Sequence, residues 1–223
     1  MSDSVTPAFL CHVRRRIAMV AMVATVLLAL TACAGEVRQP GVAFRDCVDC
    51  PEMVALPVNA AVPARPVALG RHEVTQRQFA TFVADTGYRV PGGCELWRDG
   101  RWQRTDDADW TSPGTGRVPF EDEPVVCIAW QDADAYVRWL AARLGLPYRL
   151  PTDAEWAHAV RAGTIPCARR EPAATEAPIG AGEPNPPDQH DRGGSLAEWT
   201  AGCGRDSPEL RVSAIGFRIA RDL

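Results

Sequence analysis

The sequence predicts an α+β domain in which short capped helices and short strands are joined by long irregular connections. Three features carry that expectation. Residues 73–88 and 152–163 each contain a helix-capping signal and close on a glycine. Short apolar runs such as Tyr148–Leu150 and Pro124–Trp130 have the length of strands rather than helices. The stretch 89–123 is rich in Gly, Asp and Trp and shows no periodicity.

Residues 146–163 are the most informative stretch. Tyr148–Leu150 is apolar and closed by Pro151, as a strand entering a turn would be. Thr152 and Glu155 then form a Thr-x-x-Glu capping box, each side chain reaching the other's backbone amide. Asp153 and Glu155 add negative charge at the positive end of the helix dipole. Trp156, Ala159 and Val160 give the buried stripe, and Gly163 ends the helix. Arg149 and Glu155 fall within reach of each other.

A second helix is expected after Thr75, with Gln78 completing its capping box, Phe79, Phe82 and Val83 facing inward and Gly87 as the stop. A third is expected over Asp132–Leu144, with Ala133, Tyr136, Val137, Leu140 and Leu144 on one face and Gly145 at its end. Glu52–Leu56 reads as the first strand. The proline-rich stretch Pro57–Pro66 shortens the hairpin that follows. Trp97, Trp102 and Trp110 suggest either core filling beneath loops or a sugar-stacking platform, and core filling is the commoner use. Residues 164–190, rich in Pro, Ala and Glu, read as a flexible loop.

The first 32 residues read as an export signal. Arg14, Arg15 and Arg16 precede an uncharged run from Ile17 to Leu30. That run is shorter than the roughly 20 apolar residues of a bilayer-spanning helix. Leu30-Thr31-Ala32-Cys33 resembles a bacterial lipobox, so Cys33 is the expected lipidation site. This divides the chain into a signal (1–32), a tether (33–46) and one domain (47–223), exported to the bacterial cell envelope and facing the periplasm. Removing the signal takes the formal charge from −4 to about −6, because three Arg and one Asp leave with it. An acidic chain with no Lys is a poor nucleic-acid binder.

Cys47, Cys50, Cys94, Cys127, Cys167 and Cys203 lie beyond the signal and the anchor. An even number in an exported protein reads as a disulfide framework, although six cysteines allow 15 pairings. The expected set is Cys47–Cys50, Cys94–Cys127 and Cys167–Cys203. Cys47-Val-Asp-Cys50 could instead be a redox pair, but it does not lie at a helix N-terminus, where a thiolate is stabilised.

Arg149-Leu-Pro-Thr-Asp-Ala-Glu-Trp156, continued by Ala-Val-Arg-Ala-Gly163, resembles the most recognisable motif of the formylglycine-generating enzyme (sulfatase-modifying factor) family. Residues 73–88, the Pro-Val strand and helix of 124–144, and the closing Gly216-Phe217-Arg218 match it too. The resemblance implies a variant of the C-type-lectin-like fold, with short helices around small twisted antiparallel sheets and a final strand at Gly216–Arg221. Family members carry a Gly-Asn-Val-x-Glu-Trp segment that helps to bind calcium. Here it reads Gly-Ser-Leu-Ala-Glu-Trp, with Ser195 in place of the Asn. Asn185, Asp191 and Glu198 are therefore calcium candidates, against the alternative that Glu198 pairs with a buried Arg and Trp199 belongs to the core. In the enzymes a later cysteine pair binds copper(I) and activates oxygen, and two soft thiolates suit that ion. Cys203 is the only cysteine after residue 167, so that pair has no matching positions.

No nucleophile elbow, phosphate loop, His-Glu-x-x-His or dinucleotide fingerprint is present. His72, His158 and His190 lie far apart and do not form the cluster that related sulfoxide synthases need. The expectation is a lipid-anchored envelope protein with a non-catalytic binding or scaffolding domain and a protein partner. The alternative is a copper-dependent oxidase that converts a sulfatase cysteine to formylglycine, or a related oxidoreductase.

Overall fold

The computed structural model describes residues 39–57, 66–159, 196–203 and 208–223. The expected signal, Cys33, Cys167, Asn185 and Asp191 lie outside the described residues.

Five short strands form an antiparallel sheet in the order β1 (Ala43–Phe44), β2 (Met53–Ala55), β3 (Val67–Gly70), β9 (Ala220–Asp222) and β6 (Tyr148–Arg149). The sheet thus joins the two ends of the domain, with Val67 opposite Asp222 and Leu69 opposite Ala220. β1 falls inside the stretch expected as tether: Ala43 pairs with Val54 and Phe44 with Met53, so the domain begins earlier than residue 47. Asp46, two residues beyond β1, accepts from Arg221 and Tyr148, which fixes this entry to β9 and β6.

Helix α1 (Gln76–Thr86) has both capping bonds, with Thr75 Oγ1 accepting from Gln78 N and Gln78 Oε1 accepting from Thr75 N. Gly87, at φ 66°, ends it in the left-handed region. Helix α2 (Trp130–Leu144) starts two residues before its expected position, because Asp132 acts as its third residue and accepts from the Ala129 amide at 2.7 Å. Phe79, Phe82, Tyr136 and Phe217 meet in edge-to-face or stacked contacts at the centre of the core. Helix α3 (Asp153–Ala159) follows β6 after Pro151. The end expected at Gly163 lies outside the described residues.

Three expectations need correction. Residues 125–129 are buried, but 124–129 form no regular strand, apart from a single bridge from Pro124 to Thr75. Their amides go to different partners, Val125 N to Val74 O and Cys127 N to Val212 O, and Cys127 turns the chain at φ 56°. Second, the stretch 89–123 contains a hairpin, β4 (Cys94–Arg98) with β5 (Arg101–Thr105). Asp99 and Gly100 both have positive φ, as a two-residue turn matching strand twist requires. Trp97 and Trp102 face each other across it, and Trp110 packs on Phe79. Third, the expected final strand is two strands in different sheets. β8 (Ile215–Phe217) pairs parallel with β7 (Ala197–Trp199), whereas β9 joins the antiparallel sheet. Arg218 and Ile219 make the crossing. One of the small sheets is therefore parallel.

Cys47–Cys50 and Cys94–Cys127 are both disulfides. Cys203 is also disulfide-bonded, to a partner outside the described residues.

Candidate functional site

Two ion-pair clusters, one half-buried and one fully buried, hold the elements on which the recognisable motifs lie. In the first, Arg149 on β6 forks onto Glu155 of α3, with Nη1–Oε2 and Nη2–Oε1 both at 2.7 Å. The same guanidinium reaches Asp222 of β9, from Nη2 at 2.6 Å and Nε at 3.1 Å. Glu155 is 1 % exposed and also accepts from the Thr152 amide at 2.8 Å, while its own amide donates to Thr152 Oγ1. One carboxylate thus closes the capping box and the strand–helix corner together. Burial by itself would raise the Glu155 carboxyl, but the Arg149 fork and the Thr152 amide outweigh it and hold the group below the usual range. The hydrogen bonds that Arg149 donates to Glu155, helped by those to Asp222, raise Arg149 against its own burial.

The second cluster lies deeper. Arg218 is fully buried, and its Nε lies 2.9 Å from both oxygens of Glu198 on β7. Its Nη1 donates to Arg71 O at 2.8 Å and to Gly70 O at 3.3 Å, and Nη2 is 3.4 Å from Glu73. Trp156 of α3 donates Nε1–H to Glu198 at 3.0 Å. Trp199 is core, its Nε1–H on Ile128 O at 3.1 Å. Gly216, on the partner strand, has Val125 O within 3.4 Å of where a Cβ would sit. The structure therefore brings Trp156, Glu198, Arg218 and Glu73 together, and places Arg149, Thr152 and Glu155 in the other cluster.

A third buried pair was not read from the sequence. Asp132 accepts from Arg211 at 3.0 Å and from the Tyr88 hydroxyl at 2.9 Å. Burial, and then the neighbouring Asp132 carboxylate, push the Tyr88 phenol up to about 12. Asp132 carried a signal, since an acidic third residue is a known cap. Arg211 carried none, because the pairing spans 79 residues.

Beyond β7 the chain turns over α3. Thr200 donates its hydroxyl to Asp153, and its carbonyl accepts from Trp130 Nε1 at 2.8 Å. Thr200 N donates to Cys203 Sγ at 3.1 Å. Gly202 packs so closely on the Asp153 carboxylate that a Cβ would lie 2.4 Å from Oδ2.

The family's copper(I) needs two thiolates. The described residues do not fit it: Cys47, Cys50, Cys94, Cys127 and Cys203 are all oxidised in disulfides. For calcium, Glu198 already spends both oxygens on a buried guanidinium, whose positive charge opposes a second cation at the same carboxylate.

The paired sheets, the forked Arg–Glu corner and the buried Arg218 cluster define an α+β domain of the formylglycine-generating-enzyme type. The chain belongs to the sulfatase-modifying factor enzyme 1-like domain family, whose model matches residues 52–221. It is 31% identical over 157 residues to the formylglycine-generating enzyme of Thermomonospora curvata, covering 58% of this chain and 49% of the relative. It is 29% identical over 126 residues to the inactive C-alpha-formylglycine-generating enzyme 2 of Bos taurus, covering 46% of this chain and 40% of the relative. The chain thus spans about half the length, or less, of these curated relatives. In structure it is similar to PvdO from Pseudomonas aeruginosa, with a TM-score of 0.64 at 23% identity, covering 83% of this chain and all of PvdO.

Two outcomes follow. Glu155→Ala should cost about 3 kcal/mol, combining a lost cap with a broken, partly solvated pair, as read from urea unfolding. Because the folded pKa of Glu155 is depressed, its contribution is complete above the ordinary value of 4.5 and is lost as pH falls through the lower folded value. The stability gap between wild type and Glu155→Gln should therefore close in acid below that value. Arg218→Met leaves Glu198 and Glu73 buried without their cation and should cost about 4 kcal/mol or abolish the cooperative thermal transition. Adding Glu198→Gln should recover part of the loss, which a double-mutant cycle measures.

Proposed function

We propose that this protein is a lipid-anchored bacterial envelope protein whose domain binds or scaffolds a protein partner facing the periplasm. In this reading the domain does not oxidise a cysteine. The observation that carries it is the state of the cysteines. Every described one is in a disulfide in this structure, so the described residues as they stand offer no pair of thiolates for a copper ion. The fold-bearing charges are equally committed, since Arg149, Arg218, Glu155 and Glu198 all serve packing corners. A relative named as an inactive formylglycine-generating enzyme supports the reading that this architecture serves without the chemistry.

The second reading, a copper-dependent oxidase of sulfatase cysteines, is favoured by the 31% identity to a formylglycine-generating enzyme. Incubating the purified protein with copper(I), oxygen and a Cys-x-Pro-x-Arg peptide separates the two. No aldehyde is expected by mass spectrometry, and aldehyde formation would make the protein an oxidase. Anchoring rests on the lipobox at Leu30–Cys33. Cells fed an alkynyl fatty acid should label the full chain, and Cys33→Ala should remove the label. Label that survives this substitution would refute acylation at Cys33.

A further inference from the structure

The two fully described disulfides have different surroundings. Cys94 and Cys127 are both 0% exposed, enclosed with Leu96 and Ala108 in a small core of their own. Their bond links positions 33 residues apart. Cys47 and Cys50 are only three residues apart, so their bond restrains the unfolded chain far less. Cys47 is half-buried and Cys50 is 2% exposed, on a loop whose tip, Val48, is 91% exposed.

Both Cys47 and Cys50 also line a cavity of about 20 Å³, room for roughly one water molecule. Gln78 and Thr81 of α1 and Trp139 and Arg143 of α2 form part of its wall. The pair therefore closes over the groove between the two helices. The loop is held to the domain by other bonds as well. Asp46 accepts from Arg221 and Tyr148, and within the loop itself Arg45 donates to Cys50 O at 2.9 Å. Removing the S–S bond leaves those contacts in place.

We infer that Cys47–Cys50 is an exchangeable disulfide, reduced by an envelope dithiol oxidoreductase, while Cys94–Cys127 is a permanent one. The partner's thiolate attacks Cys47 Sγ, the more accessible sulfur. The Cys47–Cys50 bond breaks and Cys50 leaves as a thiolate, taking a proton from water. The partner's second thiol then attacks the mixed disulfide and releases Cys47. Two electrons have passed from the partner dithiol, now a disulfide, to the Cys47–Cys50 pair. Opening the pair frees Cys47 and Cys50 as thiols at the wall of that cavity, while Asp46 keeps the loop attached to Arg221 and Tyr148. This inference goes beyond the binding reading above and stands whether or not the domain is catalytic.

The test is peptide-mapped alkylation of the full chain during exposure to dithiothreitol, well below its melting temperature. Cys47 and Cys50 should become labelled about ten-fold or more faster than Cys94 and Cys127. A thioredoxin whose second active-site cysteine is replaced by Ser should be trapped on Cys47. Equal rates, an adduct on Cys50 alone, or no adduct would overturn the inference. The doubly substituted Cys47→Ser, Cys50→Ser chain should keep a cooperative thermal transition within a few degrees of wild type. Loss of that transition would make the bond structural and would also overturn it.

Discussion

The buried guanidinium of Arg218 is the constraint on which the rest of the domain depends. It sits where the chain leaves the parallel pair and enters the antiparallel sheet, and it is fully enclosed. Stripping water from such a charge costs several kcal/mol, which only good geometry offsets. Here Glu198, Glu73 and two backbone carbonyls from the end of β3 supply it. Through the Trp156 indole the same carboxylate reaches α3. One side chain thus sets the mutual position of β3, β7, β9 and a helix. An apolar residue of similar volume would fill the space without selecting this arrangement.

The Arg149–Glu155–Asp222 cluster does comparable work nearer the surface. It ties β6, β9 and the first turn of α3, and its carboxylate caps the helix it helps to place. Together the two clusters give a packing reason for the family's most recognisable residues in a chain whose match covers 49% of one curated relative and 40% of another. Arg149, Glu155, Trp156, Glu198 and Arg218 answer to folding before they answer to catalysis. The Cys94–Cys127 bond, enclosed in its own small core, is a structural link of the same kind.

Much of this was legible locally. The capping boxes at Thr75 and Thr152 and the glycine stops at 87 and 145 depend on residues a few positions apart, and they appear where the spacing placed them. The hairpin at Asp99-Gly100 is equally local, since an Asp-Gly pair supplies the two positive φ angles of its turn, but its second strand, β5, lacks the alternation that marks a half-buried strand. The run 124–130 misled in the opposite direction. Its apolar content signalled burial, which is correct, but burial does not specify a ladder. Its amides were claimed by Val74 and Val212, far away in sequence.

The amino-acid sequence by itself determined the helices, their caps and the reach of Arg149 to Glu155, since each rests on short-range spacing and steric preference. Only the tertiary structure decided that Glu198 meets Arg218, that Arg211 meets Asp132, and that the closing segment divides between a parallel and an antiparallel sheet. Those choices belong to long-range charge pairing in a water-free interior, where the partner of a buried ion is whichever opposite charge the packed chain brings within reach.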